Sequence, residues 1–374
     1  MYKRLLKQII AKKFFQGKIV ILAGARQTGK TTLSLELIKN YSKKNIRFFN
    51  CDNPSDREEL ANKNIEFLKK LIGEAKVIFI DEAQKVENIG QTLKLLVDFY
   101  KKEKQIIATG SSILNLLDYT QEPLTGRKFV YHLFPLSLKE IYATGDYLTL
   151  LKEIEELIVF GSYPEVVSQK SFKAKEDLLG ELSSSYIYKD IFGFQEIKGP
   201  DFLVKLLKAL ALQIGSEVSY NELANTLQID KKTIERYLEL LEKSFVIFRL
   251  KPFTKNKRRE ISKLKKIYFY DTGIRNALIN NFNFLDKRND KGALWENFLI
   301  AERMKYLSYC KIKKESYFWR TYDGNEIDLI EETSDELKGY EFKWQDKKKT
   351  KSQNYNWLDS FEIIAKKNLK GFVF

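Results

Sequence analysis

The chain has 374 residues, a hydrophobic fraction of 44% and a formal net charge of +15. This length predicts two or three domains, and this hydrophobic content excludes a disordered chain. The excess of lysine and arginine fits an anionic partner, although lysine-rich solubility explains the same charge without one.

Cysteine, histidine and apolar runs narrow the class of protein further. The two cysteines, Cys51 and Cys310, form no metal-binding pattern and fit the reducing cytoplasm. The single histidine, His132, excludes a histidine-rich metal site and most histidine-based catalysis. No segment reaches the ~18 apolar residues of a membrane span, and the basic N-terminus lacks a signal-peptide core. We therefore expect a cytoplasmic protein with no membrane partner.

A nucleotide-binding pattern stands near the start of the chain. After a basic amphipathic helix over residues 1–15, residues 18–23 predict a buried strand, and GARQTGKT then fits G-x-x-x-x-G-K-[ST]. A helical pattern follows, so backbone N–H groups and a helix N-terminus can face phosphate. A chance match in a strand–helix turn is the alternative. The predicted ATP contacts are Gly24, Ala25, Arg26, Gln27, Thr28, Gly29, Lys30, Thr31 and Thr32, with Lys30 on the phosphates and Thr31 on Mg²⁺.

The next features are a strand over residues 46–51, a helix over residues 57–71 and an apolar run that ends in two acids. Asp81 and Glu82 follow residues 76–80, at the carboxyl end of a parallel strand, where α/β sheets bind ligands. We expect Asp81 to bind Mg²⁺ and Glu82 to polarise the attacking water. Such a run is common in purely structural strands, and the upstream loop favours the catalytic interpretation.

Residues 105–112 predict a strand that lies between the two preceding anchors and ends in small polar residues. Ser111 can contact the γ-phosphate or the water, as can Ser112 and Thr109; a helix N-cap is the alternative. Arg127 can act as an arginine finger, from its own chain or a neighbouring copy, or be an ordinary surface arginine. Ser137 is predicted to cap a helix, with Glu140 completing a capping box.

Six segments carry a family resemblance: GARQTGKTT, VIFIDEAQ, ATGSS, LTGR, FPLSLKE and FGSYPE. In this order the chain resembles AAA-type P-loop ATPases of archaea and bacteria that have a C-terminal restriction-endonuclease-like domain of unknown function. The resemblance covers nearly the whole chain and implies ATP and Mg²⁺ as cofactors. It places Lys30, Thr31, Asp81, Glu82, Ser111 and Arg127 in the ATP site and leaves the cellular role open.

Residues 200–270 have the element order of a winged helix-turn-helix: helices over 202–214, 220–227 and 231–243, then a strand over 245–250. The third helix has Lys231, Lys232 and Arg236 on its outer face, where they can contact phosphates. The basic run Lys255 to Arg259 is the predicted wing at the DNA backbone. A nucleotide lid or a protein contact is the alternative role.

The last segment resembles the restriction-endonuclease core: a helix over 292–307, strands over 317–321, 326–331 and 339–344, a helix over 351–367 and a strand over 371–374. Glu341 and Lys343 alternate by two and leave the same strand face, and Asp328 can share a second Mg²⁺ with Glu341. Glu296 can complete that site, and Lys343 can orient water. A solvated strand edge, or a fold that binds without cleaving, is the alternative.

The expected fold is therefore α/β: a P-loop AAA-like ATPase core with a parallel sheet (1–165), a helical lid or connector (166–199), a winged helix-turn-helix (200–270) and a restriction-endonuclease-like α/β domain (271–374). The expected function is a Mg²⁺-dependent ATPase that couples ATP to DNA binding, with a homo-oligomer as a further expectation. The alternatives are a STAND-like switch that gates a protein partner and an ATP-gated DNA nuclease.

Overall fold

The computed structural model divides into two compact units. The first comprises Met1–Phe134 with Lys243–Phe245, and the second comprises Pro135–Glu242 with Val246–Phe374. The described residues are 2–62, 64–111, 124–142, 147–185, 200–254, 264–321, 323–345 and 355–374.

A parallel sheet forms the centre of the first unit. Its strands are β1 (Ile19–Ala23), β2 (Ile46–Asn50), β3 (Val77–Asp81), β4 (Gln105–Gly110) and β5 (Lys128–His132). They are all parallel and lie in the order β2-β3-β4-β1-β5. The prediction that β4 lies between β1 and β3 is confirmed. β1, β3 and β4 are buried along their whole length, as expected for parallel strands covered on both faces.

Among the described residues of this unit, the helices are α1 (Leu6–Ala11), α2 (Lys30–Ile38), α3 (Pro54–Ala61), α4 (Ile65–Ile72) and α5 (Ile89–Tyr100), with 3-10 turns at Lys43–Asn45 and Ala83–Lys85. The single helix predicted over residues 57–71 is wrong, because two helices occupy this stretch. The side chain of Asn64 accepts the N–H groups of Glu66 and Phe67 and so begins α4 as a new helix.

In the described parts of the second unit, the structure has the helices α6 (Leu138–Ile141), α7 (Tyr147–Phe160), α8 (Pro164–Ser168), α9 (Phe172–Ser185), α10 (Pro200–Leu212), α11 (Tyr220–Leu227), α12 (Lys231–Lys243), α13 (Thr272–Leu278), α14 (Lys291–Cys310) and α15 (Leu369–Val373), with 3-10 turns at Leu285–Lys287 and Lys366–Asn368. The predicted capping box at the start of α6 is confirmed. The Ser137 side chain accepts the Glu140 N–H, and the Glu140 carboxylate accepts the Ser137 N–H at 3.0 Å.

A mixed sheet runs through the second unit. Its strands are β6 (Glu217–Val218), β7 (Ile247–Pro252), β8 (Lys265–Phe269), β9 (Glu315–Arg320), β10 (Glu326–Glu332), β11 (Leu337–Phe342) and β12 (Ser360–Ile364), in the order β12-β11-β10-β9-β7-β8-β6. β7 pairs with β9 in parallel, at Lys251–Tyr317 and Pro252–Phe318. One sheet therefore extends across residue 270, where the sequence placed a domain boundary.

The C-terminal end differs from the prediction. A helix over 351–367 and a strand over 371–374 were expected, whereas Ser360–Ile364 is a strand and Leu369–Val373 is a helix. Residues 346–354 lie outside the described part. β12 gains parallel hydrogen-bond partners along β11, and the buried Leu369, Phe372 and Val373 have the spacing of one helix face.

Each unit has its own apolar core. In the first, Ile21, Ile80 and Ile106 pack within one cluster. In the second, Trp295 and Phe318 belong to a cluster that also includes buried residues of α7 and α15. Along the described ranges, we find no helix with both the length and the apolar character that crossing a bilayer requires.

Candidate functional site

The turn over residues 24–29 joins the end of β1 to the start of α2. Gly29 has φ of +92°, a left-handed conformation that favours glycine. A Cβ on Gly24 would lie 2.2 Å from the carbonyl oxygen of Leu133, so only glycine fits there. Thr28 Oγ1 donates to the Ala25 carbonyl at 2.9 Å. These positions give the loop one closed shape.

Lys30 lies inside this turn. Its ammonium is buried and donates to the carbonyls of Gly24 and Ala25, each at 2.9 Å. The structure therefore brings the predicted nucleotide contacts 24–31 into one loop and the first turn of α2. Gln27 and Thr32 are exposed, and Arg26 is half-buried.

Thr31 and Asp81 form the candidate metal ligands of the loop. Thr31 Oγ1 donates to Asp81 Oδ1 and Oδ2 at 3.0 and 2.9 Å. Thr109, at the end of β4, also donates a short hydrogen bond to Asp81. A hydroxyl and a carboxylate are oxygen ligands of the type that Mg²⁺ takes beside phosphates, so these residues fit that ion.

Glu82 lies next to Asp81 with its backbone held by β4. Its N–H donates to Thr109 Oγ1 at 3.0 Å, and its φ is +53°. Ser111 Oγ donates to Glu82 Oε2 at 3.3 Å. The structure thus brings Ser111 to the carboxylate that was predicted to polarise water. Thr109 instead contacts Asp81, and Ser112 lies outside the described residues.

Gln84 is a site residue that the sequence reasoning missed. Its Nε2 donates to Glu82 Oε2 at 2.6 Å and to Ser111 Oγ at 3.1 Å. Its Oε1 is buried and has no hydrogen-bond partner within the described structure. The available signal was its place two residues after Glu82, in the turn that follows β3. An unsatisfied buried acceptor at this point can receive a hydrogen bond from a bound molecule.

Arg127 does not join this cluster in its own chain. Its carbonyl accepts from Ile19 N–H at 2.9 Å, at the start of β1. The nucleotide loop follows the other end of β1. The five residues of this strand, at about 3.3 Å each, put the loop about 16 Å from the Arg127 carbonyl. The Arg127 side chain instead pairs with Asp98 at 2.6 Å. Arg127 precedes β5 and so lies at the end of the sheet where the parallel strands begin, whereas the nucleotide loop lies at the end where they finish. A finger role from the same chain therefore does not fit.

A second group of carboxylates lies in the second unit. Glu296 of α14 and Glu326 and Asp328 of β10 have carboxylate oxygens within 4.8 Å of one another. Glu296 and Asp328 were predicted to meet, and Glu326 was missed. Its spacing of two residues from Asp328, which puts both on one strand face, was the available signal. Burial, followed by the charge of Glu296, raises the pKa of Asp328 to about 7.

Two residues of β8 contact this carboxylate group. Lys266 Nζ lies 2.8 Å from Glu296 Oε1 and also pairs closely with Glu326. Tyr268 OH donates to Glu296 Oε1 at 2.5 Å. Burial lowers the pKa of Lys266, but the charges of Glu296 and Glu326 outweigh it and raise this pKa overall. The buried ammonium therefore offsets part of the negative charge of this carboxylate group.

Glu341 and Lys343 lie on the neighbouring strand and pair with each other at 2.5 Å. The antiparallel pairing of β10 and β11 ends at Leu329–Tyr340, so Asp328 and Glu341 are the next residues along the two strands. Phe342 N–H donates to Asp328 Oδ2 at 2.6 Å. Glu341 is adjacent to the carboxylate group but is not one of its three members.

The basic face predicted for DNA is described in part. Lys231, Lys232 and Arg236 are exposed on α12, and Lys231 forms an ion pair with Glu235 at 3.8 Å. The predicted wing, Lys255 to Arg259, lies outside the described residues. β8 pairs antiparallel with both β6 and β7, next to α11 and α12 in the chain.

Family models cover most of the chain. An AAA domain model matches residues 16–142, and two models of domains of unknown function, DUF8612 and DUF4143, match residues 151–285 and 291–372.

Whole-chain relatives also match. An uncharacterized protein of Mycobacterium tuberculosis is 28% identical over 327 residues, covering 87% of this chain and 70% of that protein. An uncharacterized protein of Methanocaldococcus jannaschii is 26% identical over 340 residues, covering 85% of this chain and 73% of that protein.

Likeness to solved structures is weak. A STAND protein with a tetratricopeptide repeat sensor from Pyrococcus horikoshii is 12% identical with a TM-score of 0.29, over 83% of this chain and 48% of that chain. Pif1 helicase from Candida albicans is 14% identical with a TM-score of 0.28, over 41% and 44%. The chain spans less than half the length of either, and at these TM-scores neither likeness bears on function. What the family models show is a match of residues 16–142 to an AAA domain and of residues 291–372 to the domain of unknown function DUF4143.

Proposed function

We propose that this protein binds ATP with Mg²⁺ at residues 24–31 and hydrolyses it. The observation that carries the proposal is the meeting of Lys30, Thr31 and Asp81 at the end of β1. A buried ammonium, a hydroxyl and a carboxylate lie in one place there, with the hydroxyl 2.9 Å from the carboxylate. The AAA match over the same residues supports it.

Each residue has a distinct task in this proposal. Lys30 exchanges its contacts with the Gly24 and Ala25 carbonyls for phosphate oxygens. Thr31 and Asp81 bind Mg²⁺, which neutralises charge on the phosphates when it is bound. Glu82 accepts a hydrogen bond from the attacking water and so polarises it. Thr31 and Asp81 already lie together, with 2.9 Å between the hydroxyl and the carboxylate, so these two residues need little rearrangement.

Ser111 and Gln84 orient Glu82 and the water. Both contact Glu82 Oε2, at 3.3 and 2.6 Å. A water that donates one hydrogen to Glu82 can donate the other to the unsatisfied Gln84 Oε1. Gln84 therefore joins Glu82 and Ser111 as a candidate catalytic residue.

ATP turnover by the purified full chain tests the proposal. Lys30→Ala should abolish Mg²⁺-dependent turnover, because it removes the only ammonium inside the described loop. Lys39→Ala is the matched control, because Lys39 is an exposed lysine that ends the same helix. Equal turnover in the wild-type protein and Lys30→Ala would overturn the proposal.

We further propose that ATP is coupled to DNA binding through a winged helix-turn-helix in residues 200–270. Support comes from the element order α10-β6-α11-α12-β7-β8 and from Lys231, Lys232 and Arg236, which are exposed on α12. Asp230 begins α12, accepting Thr233 N–H at 2.8 Å. The net charge of +15 is compatible with an anionic partner such as DNA.

The salt dependence of DNA affinity tests this second proposal. Replacing Lys231, Lys232 and Arg236 by alanine should lower the salt slope by about 2 to 3, near 0.9 per lost phosphate contact. Lys205→Ala with Lys208→Ala is the control, because both are exposed on α10 of the same segment. An unchanged slope would instead favour the STAND-like alternative, a switch that gates a protein partner.

An ATP-gated nuclease is the remaining candidate. The specific observation in its favour is the group of Glu296, Glu326 and Asp328, with Glu341 and Lys343 beside it. Cleavage of duplex DNA with Mg²⁺ or Mn²⁺ should be lost in Glu341→Ala and, if ATP gates it, in Lys30→Ala. No cleavage by the wild-type protein would leave this domain a binding module, with Lys266 as its internal cation.

A further inference from the structure

Arg4 approaches the nucleotide loop from the N-terminal segment of the first unit. Its side chain is buried, with a residue exposure of 9%. Nη1 donates to the carbonyl of Thr28 at 2.7 Å, and Nη2 donates to the carbonyl of Phe134 at 2.7 Å. No part of the sequence pattern pointed to this contact, because 24 positions separate Arg4 from Thr28.

The contact with Thr28 fixes the direction of a neighbouring N–H group. The carbonyl of Thr28 and the N–H of Gly29 belong to one planar peptide bond, which is trans. In a trans peptide these two groups point in opposite directions. A Thr28 carbonyl held by Arg4 therefore turns the Gly29 N–H away from Arg4. Phosphate-binding loops depend on backbone N–H groups that point into the loop.

The hydrogen bond to Phe134 joins the same guanidinium to the segment that follows β5 and packs against Gly24. Leu133 N–H donates to the Ala23 carbonyl at 2.7 Å, and the Leu133 carbonyl lies against Gly24. Arg4 thus joins the last turn of the loop to the segment that packs on its first glycine. Arginine suits this task because its rigid fork donates in two directions at once.

The N-terminal helix holds Arg4 in place. Lys7, one turn further along the chain, pairs with Glu36 of α2 at 2.5 Å. This ion pair attaches α1 to the helix that begins at Lys30, but it does not touch the loop. Lys7 therefore offers a control that separates attachment of α1 from the direct action of Arg4.

We propose that Arg4 is a positioning residue of the nucleotide site, which fixes the Thr28–Gly29 peptide so that the Gly29 N–H group faces the phosphates. The inference rests on the proposed ATP function and deepens it. It predicts a loss of ground-state affinity for ATP and not a loss of the chemical step.

The test is a titration of a fluorescent ATP analogue into wild-type protein, Arg4→Ala and Lys7→Ala, with ATP turnover measured at saturation. Arg4→Ala should raise the dissociation constant about tenfold, the loss expected for one charge-assisted hydrogen bond. Turnover at saturating ATP should stay within about twofold of the wild-type value. Lys7→Ala should bind like the wild-type protein.

The outcomes separate the two proposals. If the wild-type protein does not bind the analogue, the proposed function fails; if it binds and Arg4→Ala binds equally well, only the role of Arg4 fails. Lower turnover at an unchanged dissociation constant means fewer folded molecules and also overturns the role. If Arg4→Ala does not fold, Arg4→Lys decides: its ammonium lacks the fork, so the constant should rise at least about threefold, and wild-type affinity would overturn the proposal.

Discussion

The Thr31 hydroxyl donates to both carboxylate oxygens of Asp81, at 3.0 and 2.9 Å, across 50 positions of sequence. The strand order makes this contact possible, because β4 separates β1 from β3 and supplies Thr109 between them. Thr109 donates to the same carboxylate and fixes its orientation. The Asp81 carboxylate is therefore positioned for a cation before any nucleotide binds.

Asp81→Asn should lower ATP turnover at least about tenfold, the order found when support for a metal ion is removed. The physical reason is that an amide replaces a charged oxygen ligand. ATP binding measured without Mg²⁺ should stay unchanged, which serves as the internal control. Turnover measured across Mg²⁺ concentrations checks the prediction.

The double variant with Thr31→Ala sharpens this test. Both residues are proposed to bind one ion, so the two losses should not add, and the double variant should be no worse than the poorer single variant. Fully additive losses would show that Thr31 and Asp81 act at separate places.

Arg127→Ala should leave ATP binding intact and should slow turnover only where copies of the chain associate. Within its own chain, Arg127 lies at the end of the sheet opposite to the loop, where it pairs with Asp98. A neighbouring copy is thus the remaining route by which it can reach a phosphate. Turnover per molecule across a dilution series is the measurement.

Mixing Arg127→Ala with Lys30→Ala provides the control. Each variant keeps the residue that the other lacks, so a mixed assembly should regain turnover if Arg127 acts between copies. A loss of turnover in dilute single chains of Arg127→Ala would contradict the geometry described above.

Asp290 gives the stability of the second unit a defined pH dependence. It pairs with the buried Arg275 at 2.5 Å and the buried Arg288 at 2.8 Å. Burial raises the pKa of the Asp290 carboxyl, but these two arginines outweigh it and lower the pKa from 3.8 to about 2. A lowered pKa stabilises the fold above about pH 4, and the contribution is lost as the pH falls through about 2.

Asp290→Asn should therefore reduce the free energy of unfolding near pH 7 by at least about 2 kcal/mol, and the difference from the wild-type protein should shrink below about pH 4. Urea unfolding at several pH values measures it. Asp335→Asn, at an exposed aspartate, is the control. A deficit that stays constant down to about pH 3 would exclude the ionised carboxylate as its cause.

Local patterns predicted the parts of the fold that depend on neighbours in sequence. α12 has the predicted bounds, 231–243, because its apolar spacing is strongly helical. The loop at residues 24–31 and the strand that ends in Asp81 were likewise visible as short motifs. The capping box of Ser137 and Glu140 needs only four consecutive residues.

Long-range pairing decided what the sequence did not reveal. Residues 360–364 are a strand because β11 supplies hydrogen-bond partners, and this pairing has no local signal. Lys266 contacts Glu296 across 30 positions of sequence, and Arg4 contacts Thr28 across 24. Arg127 stood in a plausible motif, yet β5 runs parallel to β1, so Arg127 lies at the end of the sheet opposite to the loop. Sequence spacing alone does not show at which end of the strands of a sheet a residue lies.

Gly161→Ala should prevent stable folding of the second unit. Gly161 has φ of +73°, and an added Cβ would lie 2.0 Å from Asp271 Oδ1. That carboxylate cannot move aside, because Asp271 accepts Ser162 N–H at 2.7 Å and Ile274 N–H at 3.1 Å. Gly180→Ala is the matched control: its added Cβ meets no atom within 4 Å, and alanine should stabilise helix α9 by up to about 1 kcal/mol. Thermal unfolding of both variants decides, and equal melting temperatures would show that the contact between Gly161 and Asp271 yields easily.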